Sequence, residues 1–194
     1  MGYLPRFDAP GAVQHVWASG VGPSAVYLDV DDRMTFLALS ASTFARFGAQ
    51  CLQYCLMTTH YHFLLRTPEP VLSAAMQRVN GLYARSFNKR HGRRGHLFSA
   101  RFGSRFVQTQ EDLLGVVRYI ALNPLDEPTC RHPSDWPWSS YRNTVAGVAD
   151  PLAETAALLE LVGGAERLRA FVEQGLFTSS EDVSFTSSEE ADAA

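Results

Sequence analysis

His60 and His62 stand two residues apart in HYHFLLRT, a run that reads as a β-strand. Residues i and i+2 of a strand point to one face, so both imidazoles share a side while Tyr61 and Phe63 point to the other. Two imidazoles on one face can share a metal ion or stand as two satisfied surface histidines. Tyr119 and Asn123 form a second pair, one turn apart in QEDLLGVVRYIALN. They lie on a flank of that helix, away from the centre of the apolar arc of Leu113, Leu114, Val117, Ile120 and Ala121. Such a tyrosine either covers a core edge or offers a phenol for chemistry. With an unperturbed pKa of about 10, a phenol is a poor nucleophile at neutral pH and benefits from electrostatic help at its target. Cys51 and Cys55 with the two histidines make a third candidate, a structural zinc site, although paired strands need not bring all four within about 2.3 Å of one ion.

The elements that must position these groups follow from period and punctuation. AVQHVWA (12–18) alternates like a strand, and VGPS after it is a turn signal. From Asp32, helical spacing of Phe36, Leu39, Thr43, Phe44 and Phe47 predicts a helix with Asp31 or Asp32 as cap and Gly48 as stop. QCLQYCLM and HYHFLLRT then read as two strands joined tightly at Thr58-Thr59, without the Asn-Gly or Gly of the favoured hairpins. Between Val71 and Arg90 apolar residues recur at steps of three and four, giving an amphipathic helix. SRFVQ is a short strand. Thr109 and Asp112 cap the helix carrying Tyr119, and Pro124 stops it. DWPWSSYR reads as a lid on the core. The order β-α-β-β-α-β-α predicts an α+β fold, a ferredoxin-like (split βαβ) antiparallel sheet with helices on one face plus a C-terminal helical extension.

Charge divides the 194 residues into unlike parts. Residues 1–149 hold 15 Lys+Arg against 10 Asp+Glu, a net +5, and residues 150–194 hold 2 against 10, a net −8. We read 1–149 as the body, 150–177 as the helical extension, and 178–194, with FTSSED and FTSSEE, as an acidic, serine-rich disordered tail. Between Glu69 and Glu111 there is no carboxylate, yet the interval holds Arg78, Arg85, Lys89, Arg90, Arg93, Arg94, Arg101 and Arg105. Arg78, Arg85 and Lys89 fall within about 40° of one another on a helical wheel, beside the apolar face. Arginine dominates this set, and its planar fork grips phosphate oxygens in pairs, which favours a nucleic-acid partner over a merely solvated face. No run approaches the roughly 18 apolar residues of a membrane span, and MGYLPRFDAPGA lacks the plan of a signal peptide. Three cysteines, Cys51, Cys55 and Cys130, fit a reducing cytosol, so a cytoplasmic protein is expected.

Five blocks in order, APGAVQHV, YCLMTTHYHFLLRT, LSAAMQRVNGLYARSFNKRHGRRGHLFSARF, VVRYIALNP and DWPWSSYR, resemble the single-tyrosine HUH transposases, especially the REP-associated tyrosine transposase branch. The resemblance runs from about Pro10 to Tyr141 and leaves out the acidic tail. It implies a metal-binding His60-Tyr61-His62, a nucleophilic Tyr119 heading Tyr-Ile-x-x-Asn-Pro, and Asn123 as third ligand to Mg²⁺ or Mn²⁺. The implied activity is cleavage and rejoining of single-stranded or hairpin DNA through a 5′-phosphotyrosine, in a nucleoid-associated protein, with monomer and homodimer both open. The eight cations would then grip backbone phosphates, and Phe87, Phe98 and Phe102 would be core or base-stacking residues. The alternative is an inactive descendant that binds hairpin DNA or RNA without cutting. Three departures from the family stand out: Thr58-Thr59 where Pro-Asn is usual, Gly103 where a basic residue is common, and Asp126 and Glu127 in a segment usually apolar and basic-leaning.

Overall fold

The computed structural model describes residues 9–178. Four antiparallel strands, β1 (Ala12–Ser19), β2 (Gln50–Leu56), β3 (His60–Thr67) and β4 (Gly103–Phe106), form one sheet in the order β2-β3-β1-β4. Helices α1 (Val30–Phe47) and α2 (Leu72–Arg90) connect β1 to β2 and β3 to β4, as a split βαβ sheet requires. They cover one face. Phe36 and Phe44 of α1 and Met76, Val79, Tyr83 and Phe87 of α2 pack there on Val16, Ala18, Tyr61 and Phe63.

Helix α3 (Gln110–Leu122) takes the opposite face together with α4 (Tyr141–Ala146), α5 (Thr155–Val162) and α6 (Ala165–Thr178). Leu113, Val116, Val117, Ile120 and Ala121 of α3 meet Leu52, Cys55 and Leu64 of the sheet and Leu158, Val162, Leu168 and Val172 of the last two helices. The helical extension thus helps to form a second core. Where α6 crosses α3, Gly175 permits close approach: a Cβ there would lie 2.8 Å from Leu122 Cδ1. The acidic tail expected over 178–194 lies, apart from Thr178, outside the described residues.

Local chemistry shifts one boundary. Asp29, not Asp31 or Asp32, caps α1, its carboxylate accepting from the Asp32 amide at 3.0 Å, so the helix begins at Val30. Asp32 is buried and committed elsewhere: its carboxylate accepts from the Leu28 amide at 2.9 Å and pairs with Arg90 at 2.6 Å and His91 at 2.9 Å. Gly48 ends α1 at φ 66°, as expected. The segment 136–140 runs along the outer side of β2, where Leu56 N–H donates to Trp138 O (2.8 Å) and Ser140 N–H to Tyr54 O (3.1 Å), covering a strand edge. Among the described residues no helix is long and apolar enough to cross a membrane.

Candidate active site

Register places the site. In the β1–β3 ladder Trp17 stands opposite His62 and Ser19 opposite His60, while β1 alternation puts His15 on the same face as Trp17. This is the face that α3 covers. His62 Nδ1 lies 3.0 Å from His15 Nε2, and both rings are buried. His62 Nε2 is buried without a hydrogen-bond partner among the described residues. The His60 ring centroid is 5.0 Å from that of His62, and His60 Nε2 is 3.1 Å from Asn123 Oδ1. From α3, the Tyr119 ring stands edge-on at 5.2 Å from His62 and 5.6 Å from His15. Asn123 follows α3 directly, its amide N–H bonded to Tyr119 O. The structure therefore brings Tyr119, His60, His62 and Asn123 together.

His15 joined this set without a signal of its own in the sequence. Alternation in AVQHVWA aligns it with Trp17, but only the strand register reveals that its neighbour is His62. Burial, with Arg105 nearby, lowers the His15 pKa to about 3. Burial also pushes His62 well below the ordinary histidine value, and His15 and His60 add to the effect. Both rings are neutral at physiological pH. If His15 donated to His62, the His62 Nε2–H would be a buried donor with no acceptor, which costs about 1–3 kcal/mol. The better arrangement has His62 Nδ1–H donating to His15 Nε2, which leaves a lone pair on His62 Nε2. His60 has the same choice. When His60 Nδ1–H donates to Thr59 Oγ1, 3.1 Å away, His60 Nε2 and Asn123 Oδ1 converge as two lone pairs. Two imidazole nitrogens and an amide oxygen are a donor set that suits a divalent cation. Among the described residues no three His, Cys, Asp or Glu side chains gather to hold a metal, so the amide is essential to this set.

Two departures from the family prove to be coupled through one turn. Thr58 Oγ1 donates to Glu127 Oε1 at 3.0 Å, so the added carboxylate is tied to the β2–β3 turn, and Thr59 next to it contacts His60. Gly103 is explained by packing: it pairs with Trp17 across β1 and β4, and a Cβ there would fall 2.4 Å from the indole.

The zinc reading fails on geometry. A register shift between Cys51 and Gln53 reverses the alternation along β2, so Cys51 joins the core under α1 and α2 while Cys55 joins the core under α3. The cations divide as well. Arg78, Arg85 and Lys89 are exposed along α2 as expected, with Arg94 and Arg101 exposed in the segment that follows. They lie across the sheet from Tyr119. Arg90 does not belong to this edge, because it pairs with Asp29 (2.7 Å), Asp31 (3.0 Å) and Asp32 (2.6 Å) from the start of α1. Arg105 pairs with Asp112 at 2.7 Å, and Arg93 stands over the Phe87 ring. Phe87, Phe98 and Phe102 are all buried, which makes them core residues.

Comparison with known proteins bears on the family and the fold. The sequence profile of the family described as IS200-like transposase matches residues 25–123. A search of curated proteins gives no match. Among solved structures, a REP-associated tyrosine transposase bound to a REP hairpin superposes with a TM-score of 0.63 at 18% identity, over 78% of this chain and 90% of that one. A proposed transposase from Deinococcus radiodurans gives 0.43 at 15% identity, over 57% and 89%. The first of these shows the shared fold.

Proposed function

Because this chain belongs to the IS200-like transposase family, we propose that it is a metal-dependent nuclease and transposase of single-stranded DNA, acting at hairpin sequences through a 5′-phosphotyrosine on Tyr119. One observation carries the reading: the Tyr119 ring lies against His62, whose Nε2 is buried without a partner, beside the converging His60 and Asn123. The hairpin bound by the structurally similar REP-associated transposase supports the choice of substrate.

His60, His62 and Asn123 would hold Mg²⁺ or Mn²⁺. When bound, such an ion supplies Lewis-acid polarisation of the scissile phosphate. The chain's own groups do the rest. Burial keeps His62 neutral, and His15 Nε2 accepts a hydrogen bond from its Nδ1–H, so that His62 Nε2 remains a lone pair. Tyr119 Oη attacks phosphorus in line. The new O–P bond joins tyrosine to the 5′ phosphate as the P–O3′ bond breaks, and the proton lost by the phenol is balanced by one gained at the departing 3′ oxygen. The phosphodiester energy is retained in the adduct, so a 3′-hydroxyl can reverse the step and rejoin DNA without ATP.

Incubating purified protein with labelled hairpin DNA carrying single-stranded flanks, followed by denaturing electrophoresis, tests this. Cleavage with Mn²⁺ or Mg²⁺ and none with EDTA is expected. Salt-sensitive binding with no cleavage under either metal would contradict the proposal and leave the inactive binding module.

A further inference from the structure

The turn that precedes His60 is fixed from outside. Met57 N–H donates to His60 O across it at 2.9 Å. Thr58 O accepts from Val26 N–H at 3.0 Å and Thr59 O from Gly20 N–H at 2.8 Å, both from the segment between β1 and α1. His60 takes its place from this anchored turn. Asn123 is held otherwise. It opens a short 3₁₀ turn, Asn123–Asp126, closed by Glu127 N–H donating to Pro124 O at 3.0 Å, and Cys130 N–H donates to Glu127 O at 2.9 Å. Those bonds shape the segment without tying it to the sheet.

The two residues do not hold each other. In the arrangement that receives a cation, His60 Nε2 and Asn123 Oδ1 face one another at 3.1 Å with a lone pair each, and like partial charges repel until an ion stands between them. Without a restraint the pair relaxes, either by moving apart or by a change of His60 tautomer that turns an Nε2–H toward Asn123. A restraint is present. Thr58 Oγ1 donates to Glu127 Oε1 at 3.0 Å, across 69 positions of sequence. One end belongs to the anchored turn beside His60, and the other to the segment that carries Asn123. A hydroxyl donating to a carboxylate is charge-assisted and among the stronger side-chain hydrogen bonds. Glu127 does not itself complete a ligand group with the two histidines, since among the described residues no three His, Cys, Asp or Glu side chains gather to hold a metal. Its carboxylate is engaged at the turn instead.

We infer that Thr58 and Glu127 are positioning residues whose hydrogen bond clasps the Asn123 segment to the β2–β3 turn, so that His60 and Asn123 stand assembled as a ligand pair before an ion arrives. Groups ordered in advance bind more tightly, because the cost of ordering them is not met at the moment of binding. The inference rests on the metal-dependent reading of the site and gives a task to two of the chain's departures from its family, Thr58 and Glu127.

Mn²⁺ binding by the full chain without DNA tests this, read from the loss of the free-ion signal in electron paramagnetic resonance. Thr58→Val and Glu127→Ala should each weaken binding about tenfold, the scale of partners that orient metal ligands. Thr58→Ser and Glu127→Gln, which keep the donor and the acceptor, should recover much of the loss. The double variant Thr58→Val/Glu127→Ala should bind no more weakly than either single variant, because the same bond is lost in all three. Wild-type affinity in either single variant, additive losses in the double variant, or a Glu127→Gln that binds as poorly as Glu127→Ala, in proteins that melt cooperatively, would overturn the inference while metal-dependent cleavage still stood. Binding that survives His60→Ala would place the ion elsewhere and overturn it as well. No Mn²⁺ binding by the wild type, together with no metal-dependent cleavage, would remove the proposed function itself.

Discussion

The side chains around Tyr119 show what spacing alone can and cannot reveal. Spacing put His60 and His62 on one strand face and Tyr119 and Asn123 one helical turn apart, but left a bland reading open for each pair; it was the resemblance to the HUH transposases that singled them out. His15 was marked by neither, because its tie to His62 spans 47 residues and depends on register. Its contribution is specific. Without an acceptor at His62 Nδ1, the ring is free to take the other tautomer, which would present a proton rather than a lone pair at Nε2. Partners of metal-bound histidines are typically worth about 10–100-fold in affinity or activity. His15→Phe should therefore raise the Mn²⁺ concentration for half-maximal cleavage by about that factor, whereas His15→Gln, which keeps an acceptor, should recover much of the loss. Equal metal dependence in wild type and His15→Phe would remove His15 from the account. Arg90 teaches the opposite lesson. Within its own stretch it has no carboxylate, yet the three that bind it arrive from residues 29–32.

At the scale of elements, order and type were legible, because the helices carry clear apolar periods and the strands alternate. What the sequence did not disclose was which face each helix would take. An apolar stripe on α3 says that it is buried, while the face it takes is seen only in the packed structure, where α3 meets Leu52, Cys55 and Leu64 of the sheet together with α5 and α6. Glycines separate structural demand from tolerance. Gly103 is required by Trp17, so Gly103→Ala should destabilise by about 1–3 kcal/mol through overpacking. In α3, a Cβ on Gly115 meets nothing within 4 Å, and Gly115→Ala should stabilise by about 0.5–1 kcal/mol. Chemical denaturation of the two variants checks both signs. Destabilisation by Gly115→Ala would mean that a neighbour packs against α3 at Gly115.

For the molecule as a whole, the sheet separates the two surfaces to which the proposal assigns function. The histidines and Tyr119 lie on the α3 face, and the basic edge of α2 lies on the other, so a bound strand that uses both must pass around the sheet. This division was hidden in a linear charge count, which placed all eight cations in one set. It yields a contrast that salt can measure. Each phosphate contact on a single strand contributes about 0.7 to the slope of log K against log salt. Arg78→Ala and Lys89→Ala should each flatten that slope by about this amount. Arg90→Ala should leave the slope unchanged and lower the melting temperature, since it abandons the aspartates at the start of α1. An Arg90→Ala slope that falls like the others would mean that those aspartates release it to DNA.

The central claim is that Tyr119 forms the covalent link. Arg118 and Arg131 bracket it, so trypsin releases one peptide, YIALNPLDEPTCR, that begins at the nucleophile. After reaction with hairpin DNA and Mn²⁺ and nuclease trimming, mass spectrometry should find this peptide carrying a nucleotide on Tyr119, and Tyr119→Phe should yield no adduct while still binding the hairpin. An adduct on another residue, or one that persists in Tyr119→Phe, would contradict the account.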